Sequence, residues 1–135
     1  YDQDPITVPL PGTRSNGQSF EAQVLVPQGF TYVMMKLFAF RDRRDDRNQD
    51  MARHHALDLY RTIAMLTEAE HDRAWRLAME YRDGRVVREA TGLVWEFFSD
   101  VTALGLLRIR EHPLFSENMD VKQFLEVLQE LLPKE

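Results

Sequence analysis

The sequence predicts a mainly α-helical bundle of about five helices with a small N-terminal β-hairpin. Residues 1–29 are rich in proline, glycine and polar turn residues around a period-two apolar pattern, which marks strands and turns. Almost everything after residue 29 repeats its apolar residues at helical spacing. The composition, 44% hydrophobic and 29% charged over 135 residues, suits one globular domain or part of a larger one. The chain therefore divides into a β element, 1–29, and a helical domain, 30–135.

The β element comes first. Residues 6–10 read as extended, broken by Pro9 and closed by Pro11-Gly12. Asn16-Gly17 signals a turn, because both residues tolerate positive φ. Residues 20–26 alternate Phe20, Ala22, Val24 and Val26 against Glu21 and Gln23, the pattern of a half-buried strand, and Pro27-Gln28-Gly29 ends it. A two-stranded hairpin is marginal by itself and needs helices or another segment to rest on. The first helix, 30–44, places Phe30, Met34, Leu37 and Phe38 on one stripe. Tyr32, Val33 and Phe40 widen that stripe until the helix is apolar almost all round, which predicts a central position.

A charged loop leads to a second helix, about 51–66, burying Leu59, Ile63 and Leu66 beside Ala56 and Tyr60. Thr67-Glu68-Ala69-Glu70 is a capping box for a third helix, 68–80, which Arg82-Asp83-Gly84 breaks. A fourth helix, about 86–104, points Val87, Ala90, Val94, Phe97, Phe98 and Val101 inward and closes at Gly105. Residues 106–110 read as extended, and His112-Pro113 interrupts the chain before the next helix. Asp120 caps that last helix, with Val121, Phe124, Leu125, Leu128 and Leu131 on its apolar face, and Pro133 stops it.

Composition excludes several classes of function. A net charge of −5 argues against nucleic-acid binding through bulk charge, leaving only a local basic site. No apolar stretch approaches the roughly 20 residues that span a bilayer, and no signal peptide is visible, so no membrane partner and a cytoplasmic location are expected. The absence of cysteine removes disulfides, zinc-thiolate sites and thiol nucleophiles. There is no glycine-rich phosphate loop, no nucleophile elbow and no carboxylate pair of glycosidase type. A first residue of Tyr1 rather than Met suggests a processed chain or a fragment.

The chemistry centres on Lys36, a single lysine inside the apolar run Tyr32-Val33-Met34-Met35-Lys36-Leu37-Phe38-Ala39-Phe40. Such a lysine must snorkel to solvent, pair with a carboxylate, or point into a cleft where an anion meets it. Phe40 and Arg43 stand at i+4 and i+7 on nearly the same face, with Phe40 between the two cations. On the second helix His54, Asp58 and Arg61 share a face opposite the leucines. If the two helices pair antiparallel, Lys36 and Asp58 converge. Cations beside an aspartate are what phosphoryl or nucleotidyl transfer requires, the cations neutralising the triphosphate and the carboxylate orienting a reacting group. Spacing alone equally allows a structural interhelical salt bridge. The run Arg41, Arg43, Arg44 and Arg47 is interleaved with Asp42, Asp45, Asp46 and Asp50 and reads as a solvated loop. His54 and His55 with Asp58 have the spacing of a metal pair but no convincing third ligand.

The segment Met35-Lys36-Leu37-Phe38-Ala39-Phe40-Arg41-Asp42-Arg43-Arg44, followed by His55-Ala56-Leu57-Asp58-Leu59-Tyr60, resembles the latter half of the AbiEii/AbiGii-type nucleotidyltransferases. These form a bacterial, toxin-like branch of the polymerase-β-like superfamily. The resemblance covers about the first half of the chain. It implies the C-terminal part of an α+β enzyme, with the β element completing a nucleotidyltransferase sheet. It further implies transfer of a nucleoside monophosphate from an NTP to an RNA (tRNA among them) or protein acceptor, with Mg2+ as cofactor and a cognate antitoxin as partner. Lys36 matches the lysine that engages the nucleotide phosphates. Asp58 matches the downstream acid required for activity, and Arg43 is a weaker match to a phosphate or acceptor contact. The Gly-Ser and Asp-x-Asp metal motif of the family is missing, since Asp2 and Asp4 stand at the very start without a glycine-rich turn. The resemblance therefore implies metal ligands outside this chain, and a chain inactive alone. The competing expectation is a non-catalytic helical interaction domain with a structural Lys36–Asp58 pair. A third is a metal-dependent hydrolase built on His54, His55 and Asp58.

Overall fold

A computed structural model describes residues 6–13, 19–26 and 29–134. The protein is mainly helical. Ile6–Thr13 (β1) and Ser19–Val26 (β2) pair antiparallel, with Ile6 opposite Val26 and Thr13 opposite Ser19. Among the described residues this is a two-stranded sheet. The expected Asn16-Gly17 turn, the Pro27-Gln28 break and the Asp2/Asp4 pair lie outside the described residues.

Six helices complete the fold among the described residues: Gly29–Arg43 (α1), Asp50–Ala64 (α2), Glu68–Glu80 (α3), Arg85–Phe97 (α4), Leu104–Glu111 (α5) and Val121–Leu131 (α6). The central element is α1, which packs on α2, α3 and α4, while α2 also meets α5 and α6. Its core side is Phe30, Val33, Met34, Leu37 and Phe40, all at most 2% exposed. The predicted stripe is thus buried apart from Tyr32, which is half-buried, and Phe38, which lies at the core edge under the Arg41 guanidinium, 4.9 Å from its ring centre. From α2 come Ala52, Ala56, Leu57, Leu59 and Ile63, while Leu66 is only partly buried. No helix among the described residues is long and apolar enough to cross a membrane.

The capping box forms where its residues predict. The Glu70 N–H donates to Thr67 Oγ1 at 3.1 Å, and the Thr67 N–H donates to Glu70 Oε1 at 3.0 Å. Asp120 caps α6 by accepting from the Gln123 N–H at 2.9 Å.

The fourth helix needs correction. It ends at Phe97, and residues 106–110, expected to be extended, belong to α5. The break is made by Asp100, whose carboxylate accepts from the Thr102 N–H at 2.7 Å and from the Thr102 hydroxyl. A short polar side chain bonding the backbone two residues ahead competes with the helical ladder. Gly105 is consequently not a helix terminus. It is buried in the first turn of α5, where a Cβ would collide with the Phe98 ring and lie 2.6 Å from the Phe97 carbonyl oxygen. Glycine is required there by close packing.

Candidate functional site

The first helices are joined by the charged loop and lie side by side, which brings Lys36 and Asp58 together. Lys36 Nζ is 2.9 Å from Asp58 Oδ2, with the two side chains 16% and 19% exposed. Residue 36 falls at the edge of the α1 apolar face, so its stem is covered while its ammonium reaches the α1–α2 seam. Tyr32, one turn earlier, lies beneath it with its ring centre 5.3 Å from Nζ. His55 presents Nδ1 to the ammonium at 3.5 Å. Since an ammonium only donates, Nδ1 must be the unprotonated nitrogen, which places the proton of the neutral ring on Nε2. His54 approaches the other side, its Nε2 3.6 Å from Asp58 Oδ2.

These contacts set the electrostatics. Burial pulls the Lys36 pKa down, but the hydrogen bond and charge of Asp58, helped by Tyr32, outweigh it and hold the ammonium above its ordinary 10.5. Burial and the Lys36 charge push His55 below 6.5, so the ring is neutral at pH 7. At an effective dielectric of about 20 the Lys36–Asp58 attraction is on the order of 4–6 kcal/mol. Desolvating each ion costs several kcal/mol, so the two nearly cancel and net stability does not account for the pair.

The other expected site residues fall elsewhere. Phe40 does not stand between the cations. It turns fully inward, its ring 5.5 Å from both Phe97 and Phe98. Arg43 is half exposed at the end of α1 and binds Asp46 at 3.3 Å, reaching the site only through its charge on His55. In the rest of the charged run, Arg41 pairs with Asp42 at 3.1 Å and reaches Glu89 on α4 at 4.0 Å, Arg44 pairs with Asp45 at 3.7 Å, and Asp50 takes Arg53 at 3.0 Å. Among the described residues no three His, Asp or Glu side chains converge to hold a metal ion. The His54/His55 metal pair fails for a clear reason, since His55 directs Nδ1 at a fixed cation.

One neighbour was not visible in the sequence. His112, at the end of α5, lies with its ring 6.2 Å from that of His54. Only the packing of α5 against α2 brings it there. The molecule also has a recess of about 240 Å³ between α2, α3 and α6, floored by Tyr60, Ile63 and Phe124 and rimmed by Glu68, His71 and Asp120, away from Lys36. No family model, no curated protein and no solved structure matches the chain.

Proposed function

We propose that this chain is the C-terminal portion of a nucleotidyltransferase that transfers a nucleoside monophosphate from an NTP to an RNA or protein acceptor. In this reading β1 and β2 join the sheet of a polymerase-β-like catalytic half. The observation that carries it is the 2.9 Å Lys36–Asp58 pair set beside His54 and His55, in the motif order of the resembling family. Lys36 holds a phosphate oxygen, and Asp58 orients Lys36. The long 3.5 Å contact to His55 is the one a phosphate oxygen displaces most easily, leaving the Asp58 bond intact. In the reaction the acceptor hydroxyl oxygen bonds to the α-phosphorus and the bond to the bridging oxygen breaks. Pyrophosphate leaves, and the hydroxyl proton passes to solvent. The described residues do not fit a magnesium ion, because the one acid at the site already serves Lys36. Metal ligands are assigned to sequence outside this chain.

A second reading, a non-catalytic helical interaction domain, is favoured by Trp75 and Met79. These stand one turn apart on α3, 44% and 43% exposed. The decisive experiment offers α-labelled NTPs and total RNA to the intact protein carrying this segment, alongside its Lys36→Ala and Asp58→Ala variants. Label on RNA, or on protein, that disappears in both folded variants supports transfer. No label with any of the four nucleotides on either acceptor overturns it and leaves the structural salt bridge.

A further inference from the structure

We propose that His54, Arg61 and His112 form an anion site on the α2–α5 face, beside Lys36, that takes a phosphate oxyanion. On α2, residues 54, 58 and 61 stand at i, i+4 and i+7 and so share one face. The end of α5 brings the His112 ring 6.2 Å from the His54 ring at an inclination of 29°. The Leu114 N–H donates to His112 Nδ1 at 3.0 Å, which places the proton of the neutral ring on Nε2 and leaves that N–H as its available donor.

The acids around this face are already engaged. Asp58 holds Lys36 at 2.9 Å, and the same carboxylate oxygen lies 3.6 Å from His54 Nε2. Glu111 takes Arg108 at 2.6 Å and Arg53 at 3.3 Å, and Asp50 takes Arg53 at 3.0 Å. Arg61 makes no ion pair among the described residues, and it is close enough for its charge to be felt at His112. One guanidinium without an ion pair among the described residues and two imidazoles on a common face offer several donors. A phosphate group, with several acceptor oxygens, can meet donors from three side chains at once. That chemistry is shared by a free polyphosphate and by a nucleic-acid backbone.

The groups facing His112 determine how such a site depends on pH. Arg53, His54, Asp58 and Arg61 act on it from α2, and Lys36 lies beyond Asp58 on α1. Burial, followed by the charges of His54, Arg61 and Arg53, holds His112 below 6.5 in the free protein. A bound anion reverses the charge repulsion, so its binding raises the His112 pKa and strengthens as pH falls toward that pKa. The inference stands on the α2–α5 geometry and does not require Lys36 to serve transfer.

The test is a proton NMR titration of the four histidine C2–H signals with pyrophosphate at constant ionic strength, at pH 8 and pH 6. A parallel titration uses a single-stranded oligonucleotide without terminal phosphates. The His54 and His112 signals should move while that of His71 on α3 stays still, with tighter binding at pH 6. Arg61→Gln, which breaks no described ion pair, should weaken binding about tenfold, the scale of one hydrogen bond to a charged group. His112→Phe, keeping a ring in place, should do the same. Response to pyrophosphate alone assigns a free polyphosphate, and response to the oligonucleotide with steep salt dependence assigns a backbone phosphate. Either supports the site. No response to either ligand at millimolar concentration, equal movement of His71, or unchanged affinity in Arg61→Gln overturns it. No nucleotide is transferred in this titration, so its outcome is independent of the labelling assay.

Discussion

The α1–α2 seam and the α4–α6 seam both place polar side chains among packed helices, but by opposite means. Between α4 and α6 the polar groups are neutral donors aimed at backbone. The Trp95 indole N–H donates to the Leu132 carbonyl at 2.9 Å, and the Gln129 amide donates to the Phe98 and Ser99 carbonyls, each at 2.9 Å. These carbonyls lie at or just past the ends of α6 and α4, where the helical ladder leaves acceptors without partners. Each helix thus supplies a side chain that completes the end of the other. At the α1–α2 seam two opposite charges face each other, with imidazoles around them and solvent within reach. The first arrangement satisfies groups the fold cannot avoid burying. The second places a charge pair where its net contribution to stability is small, and that contrast is why the proposed function is built on this seam.

The sharpest way to break both seams at once is Phe40→Ala. Its ring is fully buried against Phe97 and Phe98, so the variant should lose about 3–5 kcal/mol in urea unfolding, enough to melt the bundle or bring it close. Gln129→Leu tests the α4–α6 seam alone. Stranding the Phe98 and Ser99 carbonyls should cost about 1–3 kcal/mol, read from the urea midpoint at unchanged slope. The double variant Lys36→Met/Asp58→Leu tests the opposite seam. It should unfold within about 1 kcal/mol of wild type and, under the proposed function, abolish transfer by the intact protein. A loss as large as that of Gln129→Leu would make the pair structural and erase the contrast.

The smallest effect is a pH dependence. The folded pKa of His55 is depressed, so the unfolded chain binds its proton more readily. Its contribution to stability is complete above 6.5 and is lost as pH falls through the folded pKa. His112 acts in the same direction. Unfolding midpoints compared at pH 7.5 and pH 5.5 should therefore fall on acidification, and by less in His55→Gln. Lys36 works in the opposite window, its contribution being full below 10.5 and lost above it.

Local signals carried far in this chain. The capping box at Thr67 and the Asp120 cap formed where the residues placed them, because each needs only atoms three residues apart. The stripe of α1 became the centre of the core because a helix apolar nearly all round has no other stable place. The end of α4 was also locally encoded, in Asp100 and Thr102, yet a long apolar period masked it. Gly105 resembles a helix terminus in sequence because its contact partner, the Phe98 ring, becomes close only when the chain reverses after α4.

Sequence by itself therefore determined five of the six helices found among the described residues, the caps at Thr67 and Asp120, most of the apolar faces, and that Lys36 and Asp58 meet if α1 and α2 pair antiparallel. All of these arise from short-range periodicity or from two helices joined by a short loop. Only the tertiary structure decided that Phe40 turns to the core, that Arg43 stays with Asp46, and that His112 arrives beside His54. Those outcomes depend on which of several competing partners each side chain meets. That competition is settled by the packing of α5 on α2 and of α4 on α1, which no local pattern specifies.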